Sequence, residues 1–203
     1  MATRKRPEGH RLTLTEQARR AQLIAVTIEQ VAAKGYAGTT LASIAAAAGI
    51  TKAAVFYHFA SKDSLIDAAY SRVITVLTDE VAAEIRSAEA ADGPAVYARS
   101  MIRHFHEHPQ HTRMIVEAAN RDGFPYEPET RWGPLAQLID AAAQARGAAA
   151  VDARTLAIIT GGAIDAIVSE GLHDPTFDTV RAAARLTGLI DMALAPGGER
   201  VSD

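Results

Sequence analysis

Hydrophobic residues recur every three or four positions along almost the whole chain, whereas the strict apolar–polar alternation of a strand is rare. Glycine and proline interrupt this helical spacing at intervals, as they do in the connections between helices. The pattern therefore predicts an all-α fold. The predicted helices cover approximately residues 15–34, 41–48, 51–59, 61–90, 95–108, 110–121, 130–146, 152–172 and 176–194.

The first three predicted helices have clear start and stop signals. Thr15, Thr40 and Thr51 are expected to act as N-caps, and Gly35 and Gly49 follow helix ends where a left-handed residue is needed. Their spacing predicts that one face of each short helix packs on the apolar stripe of the first helix. The residues expected to form this small core are Leu23, Ile24, Ile28, Val31, Ile44, Ala45, Ala48, Val55 and Phe59.

The helix pattern also suggests a domain organisation. Residues 1–15 read as a flexible basic arm, and residues 16–62 as a three-helix bundle that contains a helix-turn-helix. A long helix over residues 61–90, about 45 Å at 1.5 Å per residue, connects this bundle to the next domain. Residues 63–195 are expected to form a second helical bundle, and residues 196–203 a disordered tail.

Composition and charge narrow the function. The 203 residues are 48% hydrophobic and 22% charged and include no cysteine, which fits a globular protein and excludes thiolate catalysis and cysteine metal sites. Residues 1–62 carry 9 Lys+Arg against 3 Asp+Glu, whereas the remaining residues carry 12 against 21. The basic end predicts an anionic partner. The absence of enzyme motifs, of a secretory leader and of an 18-residue apolar run predicts a cytoplasmic protein that is not an enzyme, needs no cofactor and has no membrane partner.

Residues 39–59 read as helix, glycine-containing turn and helix, and the second helix is short enough to enter a DNA major groove. Hydrogen-bonding side chains gather on the outward face at or near helix starts, where backbone amides also attract phosphate. Each has a plainer interpretation as a cap, a solvated charge or an edge of the core. The outward residues are Thr40, Thr51, Lys52, Ala54, Tyr57, His58 and Lys62.

The run GYAGTTLASIAAAAGITKAAVFYHFASKDSL, residues 35–65, resembles the DNA-binding domain of the TetR (tetracycline-repressor) family of bacterial transcription regulators, and the likeness extends over residues 16–76. Phe56 replaces the family's usual tyrosine, which removes a hydroxyl, and Val31 replaces a core phenylalanine. The resemblance implies base contacts from Thr51, Lys52, Ala53 and Ala54. It implies contacts to the DNA backbone from Thr40, Tyr57, His58 and Lys62.

The same resemblance implies a dimeric one-component regulator. Such a protein binds a palindromic double-stranded operator and, acting most often as a repressor, is released by a small-molecule effector. Two alternatives stay open at this point: a non-switching architectural DNA-binding protein, and a metal-responsive regulator.

The predicted helix over residues 152–172 is apolar on two faces and therefore needs two partners. One face carries Leu156, Ile159, Ala163 and Ile167, and the other carries Ala157, Gly161, Ile164 and Val168. The resemblance implies that the last two helices pair with a second copy of the chain; the alternative is the core helix of a monomer. The residues expected in the dimer interface are Leu156, Gly161, Ile164, Val168, Ala184 and Gly188.

Large side chains at helical spacing between residues 95 and 146 could line an effector pocket, or form ordinary core. Asp165, within the most apolar helix, is a candidate partner for a ligand or for an arginine of the second subunit. The apolar pocket candidates are Tyr97, Met101, Phe105, Met114, Phe124, Tyr126 and Trp132. Glu117 and Asn120 are their expected polar neighbours.

Four of the seven histidines are His104, His106, His108 and His111. Three of them, at positions 104, 108 and 111, share one helical face at a spacing typical of metal ligands. Because Pro109 is expected to break the helix between them, we interpret the group as a solvated helix end and predict no metal site. The metal-responsive alternative depends on this cluster.

Overall fold

The computed structural model describes residues 12–121, 128–148 and 151–196, and within these ranges it contains nine α-helices, one short 3₁₀ helix and no strand. The predicted all-α fold is confirmed. The helices are α1 Leu14–Gly38, α2 Leu41–Ala47, α3 Lys52–His58, α4 Lys62–Arg86, α5 Gly93–Glu107, α6 Pro109–Ala119, α7 Pro128–Arg146, α8 Ala153–His173 and α9 Thr179–Ala193, with the 3₁₀ helix at Ala90–Asp92. The predicted arm through residue 11 and the tail from residue 197 lie outside the described residues.

Two predicted boundaries are wrong. Helix α1 is capped by Thr13 rather than Thr15, because Thr13 and Glu16 form a reciprocal capping box: each side chain accepts the other residue's backbone N–H. The long helix ends at Arg86 rather than near Ala90, and the chain then passes through the 3₁₀ helix. The predicted break at Gly35 is present as a kink with φ +71° inside α1.

The described chain divides into two compact units. The first unit comprises residues 12–73 and 113–121, and the second comprises residues 74–112, 128–148 and 151–196. The division therefore falls inside α4 rather than between residues 62 and 63. The last part of α6 groups with the first unit because Glu117 and Arg121 bond to residues of that unit, as described below.

The core of the first unit contains six of the nine predicted residues, with Leu41 of α2 and Leu65 of α4 added. Apolar side chains of α1, α2 and α3 pack around residues that are almost completely buried, such as Leu23, Ile44 and Val55. This packing fixes α3 against α1 and leaves the opposite side of α3 exposed. The buried cluster consists of Leu23, Leu41, Ile44, Ala45, Ala48, Val55, Phe59 and Leu65.

The core of the second unit lies between α5, α7, α8 and α9. Leu135, Ile139, Ile164 and Ile190 are at most 2% exposed and form its centre. Gly161 allows α7 and α8 to approach closely, because a Cβ atom at this position would lie 2.1 Å from the Trp132 ring. Helix α8 therefore has a defined inward face.

Among the described helices, α8 alone is long and apolar enough by itself to cross a membrane. Its inward face packs in the core of the second unit through Ala157 and Ile164. One face of α8 is therefore buried within this unit.

Candidate nucleic-acid interface

Helices α2 and α3 form a helix-turn-helix, since the chain bends by 102° between them, within the roughly 90–120° typical of this motif. The turn depends on Gly49, which has a φ of +67°. Two backbone bonds close it: the Gly49 amide donates to the Ala46 carbonyl, and the Ile50 amide donates to the Ala45 carbonyl. The sequence prediction of this motif is confirmed.

The two threonines at the starts of α2 and α3 are true N-caps. The Thr40 hydroxyl accepts the Ser43 amide at 3.0 Å, and the Thr51 hydroxyl accepts the Ala54 amide at 3.1 Å. A hydroxyl that accepts a bond in this way still carries a donor hydrogen. Both threonines are exposed, so capping does not conflict with the predicted contacts to DNA.

The exposed side of α3 presents short and long side chains together. Lys52 and Ala53 are exposed and Tyr57 is 59% exposed, whereas Ala54 and His58 are half-buried. Phe56, which replaces the tyrosine usual at this position in the family it resembles, is 48% exposed. The Lys52 ammonium lies 5.7 Å from the centre of the Phe56 ring. Lys52 is therefore a long hydrogen-bond donor on the exposed side of α3, and its contact with bases stays a prediction.

Two residues of α1 position α3 and were missed by the sequence reasoning. The Tyr57 hydroxyl donates to Glu16 at 3.0 Å. The Arg20 guanidinium lies 4.0 Å over the Phe59 ring and donates to the His58 carbonyl at the end of α3. The spacing of Thr13 and Glu16 is that of a capping box, so the sequence could have singled out Glu16. No sequence pattern near Arg20 indicates its contact with His58.

Lys62 is half-buried and has an internal role in addition to its predicted one. Its ammonium donates to the Tyr36 carbonyl and lies 3.8 Å from the centre of the Tyr36 ring. The Tyr36 hydroxyl donates to Asp63 at 2.5 Å, and this hydrogen bond raises the pKa of Tyr36. Lys62 therefore joins the end of α1 to the start of α4.

Glu117, which was expected to orient an effector, has a structural partner instead. Its carboxylate accepts the Tyr36 amide at 2.6 Å, just after the kink at Gly35. A Cβ at Gly35 would lie 3.1 Å from that carboxylate, so the close approach also requires glycine. Nearby, Arg121 donates to Asp67 at 2.6 Å. These bonds anchor the last part of α6 in the first unit.

The remaining described pocket candidates are divided between the two units. Met114 is completely buried and Asn120 exposed, and both belong to the first unit. The other described candidates, Tyr97, Met101, Phe105 and Trp132, belong to the second unit. Phe124 and Tyr126 lie outside the described residues.

One small cleft of the second unit borders Phe105. It is lined by Ile102, Phe105, Val168 and Leu172, with His106 and Thr179 as polar groups. Its cavity volume of about 50 Å³ is well below the roughly 300–1,000 Å³ of small-molecule sites. Burial raises the pKa of Tyr97, with a smaller contribution from Asp165. Asp165 itself pairs with Arg131 of the same chain at 2.6 Å.

The predicted dimer interface is partly wrong, because Gly161 and Ile164 face the core of their own chain. Gly161 packs against Trp132, and Ile164 is 2% exposed. Leu156 and Val168 are half-buried against the same core, whereas Ala184 and Gly188 are exposed as expected. The exposed apolar residues of α8 and α9 are Ile158 (43%), Ile159 (61%), Val180 (75%), Leu189 (59%) and Met192 (67%).

The interpretation of the histidines as a solvated helix end is wrong for His104, which is 2% exposed. Its Nδ1 lies 2.5 Å from Glu80, a residue that sequence reasoning did not single out. The hydrogen bond from His104 lowers the pKa of Glu80 and keeps this group a carboxylate.

Residues 23–69 match the sequence profile of the bacterial regulatory proteins of the tetR family. The HTH-type transcriptional regulator BetI of Burkholderia mallei is 38% identical over 84 residues, which cover 41% of this chain and 42% of that protein. BetI 1 of Chromohalobacter salexigens is 34% identical over 84 residues, 41% of each chain. The chain thus matches about two fifths of the length of these curated relatives.

Similarity of fold extends much further along the chain. A TetR family transcription regulator from Marinobacter aquaeolei superposes with a TM-score of 0.73 at 19% identity, covering 88% of this chain and 96% of that one. The fatty acid degradation regulator FadR from Bacillus halodurans gives 0.70 at 14% identity, covering 94% and 99%. Residues 23–69 therefore carry the DNA-binding region of the bacterial regulatory proteins of the tetR family, and the structural likenesses show that the chain shares the all-α fold of such regulators.

Proposed function

We propose that this protein is a cytoplasmic transcriptional regulator that binds a palindromic DNA operator as a homodimer. The observation that carries the proposal is α3, which is held by Glu16 and Arg20 of α1 and exposes Lys52 beside the N-cap Thr51. Amides and hydroxyls at helix starts suit phosphate, and a long donor on an exposed short helix suits base edges in the major groove.

The dimer is supported by the apolar surface of α8 and α9. Ile159, Leu189 and Met192 are each about 60% exposed or more, and large apolar side chains exposed together on two packed helices suit an interface between proteins. Ala184 and Gly188 lie on the same helix as the last two, and small residues allow two helices to approach closely. A two-fold pair would carry two copies of α3 and so recognise two half-sites, because one short helix makes few base contacts.

We further propose that the regulator is a repressor released by a small-molecule effector. The support is the apolar cleft beside Phe105, where His106 and Thr179 offer polar groups, together with Tyr97, Met101 and Trp132 in the same unit. Because the cleft holds only about 50 Å³, an effector has to bind an expanded form of the second unit. An effector that binds this expanded form more tightly than the DNA-binding form would shift the protein towards it and so release DNA.

The proposal is tested by selecting preferred duplexes from a random pool and measuring affinity for the selected and for random DNA. We expect Lys52→Ala to cost about 1–3 kcal/mol on the selected duplex and much less on random DNA, because a base contact is lost. Lys34→Ala, which removes the same charge from an exposed position on α1, is the matched control and should keep the preference. Equal losses on both DNAs for Lys52→Ala would contradict base recognition by α3.

A further inference from the structure

Three histidines and a glutamate converge within the second unit from three different helices. Glu80 lies on α4, His104 on α5, His108 at the end of α5 and His111 in the first turn of α6. The ring centres of His104, His108 and His111 lie 4.8–5.1 Å apart in all three pairs. These side chains therefore form one cluster rather than separate surface groups.

The helix break at Pro109 assembles this cluster rather than dispersing it. Helix α5 ends at Glu107 and His108 is its C-cap, whose carbonyl accepts the His111 amide at 2.9 Å. This tight turn brings the His111 ring back beside His104, so that His111 Nδ1 lies 3.0 Å from His104 Nε2. The turn therefore brings the three imidazole rings together, as the spacing along a continuous helix would also have done.

Donor atoms of the cluster lie close together. One donor atom each from Glu80, His104 and His108 lie within 4.8 Å of one another. Tetrahedral coordination with bonds of about 2.0–2.2 Å places neighbouring donors roughly 3.5 Å apart, so the donors would have to approach one another by about 1 Å when an ion binds. His104 is almost completely buried, while Glu80 is exposed and His108 half-buried, which leaves the cluster open to an entering ion.

The chemistry of the donors selects the class of ion. Imidazole nitrogens with one carboxylate suit Zn²⁺, Co²⁺ and Ni²⁺, whereas Mg²⁺ and Ca²⁺ prefer oxygen ligands. Glu80 can act either as a direct ligand or, through its contact with His104 Nδ1, as the carboxylate that orients this imidazole. In both arrangements His104 and His108 bind the ion directly.

We propose that Glu80, His104, His108 and His111 form a binding site for one divalent transition-metal ion of the zinc class. The ion would tie α4 to the end of α5 and the start of α6 within the second unit. Because an ion bound to the folded state alone adds its binding free energy to stability, it also raises the unfolding temperature.

The test uses the untagged full chain, freed of metal by a chelator and titrated with Zn²⁺ by calorimetry and with Co²⁺ by visible absorption. We expect one ion per chain, the absorption of four-coordinate Co²⁺ with nitrogen and oxygen ligands, and an increase in melting temperature with Zn²⁺. Failure of the wild-type protein to bind either ion at micromolar concentration would overturn the proposal.

Substitutions at the partly accessible positions keep the test independent of folding. His108→Gln should weaken Zn²⁺ binding at least tenfold and lose the Co²⁺ spectrum, and Glu80→Gln should weaken binding by 10–100-fold. His173→Gln, at an exposed histidine near the end of α8, is the matched control and should bind as the wild type does. Unchanged affinity in His108→Gln, with the fold intact by circular dichroism, would place the ion elsewhere and reject the site.

Discussion

The two units of this protein expose opposite kinds of surface. Around α3, the first unit exposes Thr51, Lys52 and Tyr57, whose hydroxyl and ammonium groups suit a hydrated polyanion. The second unit exposes Ile159 and Leu189, which gain free energy when water is removed from them. In the proposed function the difference separates two tasks: the first surface contacts DNA, and the second associates two chains.

A charge placed on the apolar surface of α8 and α9 should have the largest effect. Ile159→Glu should raise the dimer dissociation constant by about 100-fold or more, roughly 3 kcal/mol, because a carboxylate would be buried without a partner. Sedimentation equilibrium measures this change, and operator affinity should fall with it. Val116→Glu, at a 49% exposed valine of α6 in the first unit, is the matched control. A stable Ile159→Glu dimer would exclude this face as the interface.

Two glycines distinguish the inner and outer faces of the second unit. Gly161→Ala should destabilise the protein by about 1–3 kcal/mol in thermal unfolding, because its Cβ would meet the Trp132 ring. A Cβ at Gly188 would have no contact within 4 Å in its own chain. Gly188→Ala should therefore leave the melting temperature of the monomer unchanged or raise it slightly. If Gly161→Ala behaved like Gly188→Ala, the inward orientation of this face of α8 would be wrong.

Lys62 has a predicted contact with the DNA backbone and an internal bond to Tyr36, and one substitution can separate the two. Lys62→Ala should weaken binding to selected and random DNA alike and reduce the slope of log affinity against log salt by about one, since one phosphate contact is lost. It should also lower the melting temperature slightly, because the Tyr36 carbonyl loses its ammonium donor. An unchanged salt slope with a lowered melting temperature would leave Lys62 with the structural role alone.

The smallest effect concerns the cap of α8 and depends on pH. The Thr155 amide donates to Asp152, and this bond lowers the pKa of Asp152 below its ordinary 3.8. Its contribution to stability is therefore present above pH 3.8 and is lost as the pH falls through the lower pKa of the folded state. In Asp152→Asn the cap remains but does not titrate. The melting-temperature difference between the two proteins should change across this acid range; a constant difference would contradict the shifted pKa.

The sequence predicted the helix-turn-helix well because its determinants are local. Caps such as Thr40 and Thr51, the turn glycine Gly49 and the apolar spacing lie within twenty residues of one another. The contact between Tyr36 and Glu117 joins residues 81 positions apart in the sequence, and no sequence pattern near either residue predicts it. The first surface was therefore predictable, whereas its supports were not.

The orientation of α8 was beyond local reasoning for a related physical reason. Both of its faces are apolar, so helical periodicity alone gives two equal solutions. The choice is made by Trp132 on α7, which fits only over the glycine at position 161. The histidine cluster has the same character: the spacing of the histidines was visible, but the carboxylate of Glu80, 24 positions before His104, was not.

The central claim is that two copies of α3, held together by the apolar surface of α8 and α9, recognise one palindromic operator. Fluorescence anisotropy with the full selected palindrome, one isolated half-site and a scrambled duplex, all at the same salt concentration, tests it most directly. We expect the protein to bind the palindrome at least 1,000-fold more tightly than the scrambled duplex and far more tightly than the half-site. Equal affinity for all three duplexes would contradict it.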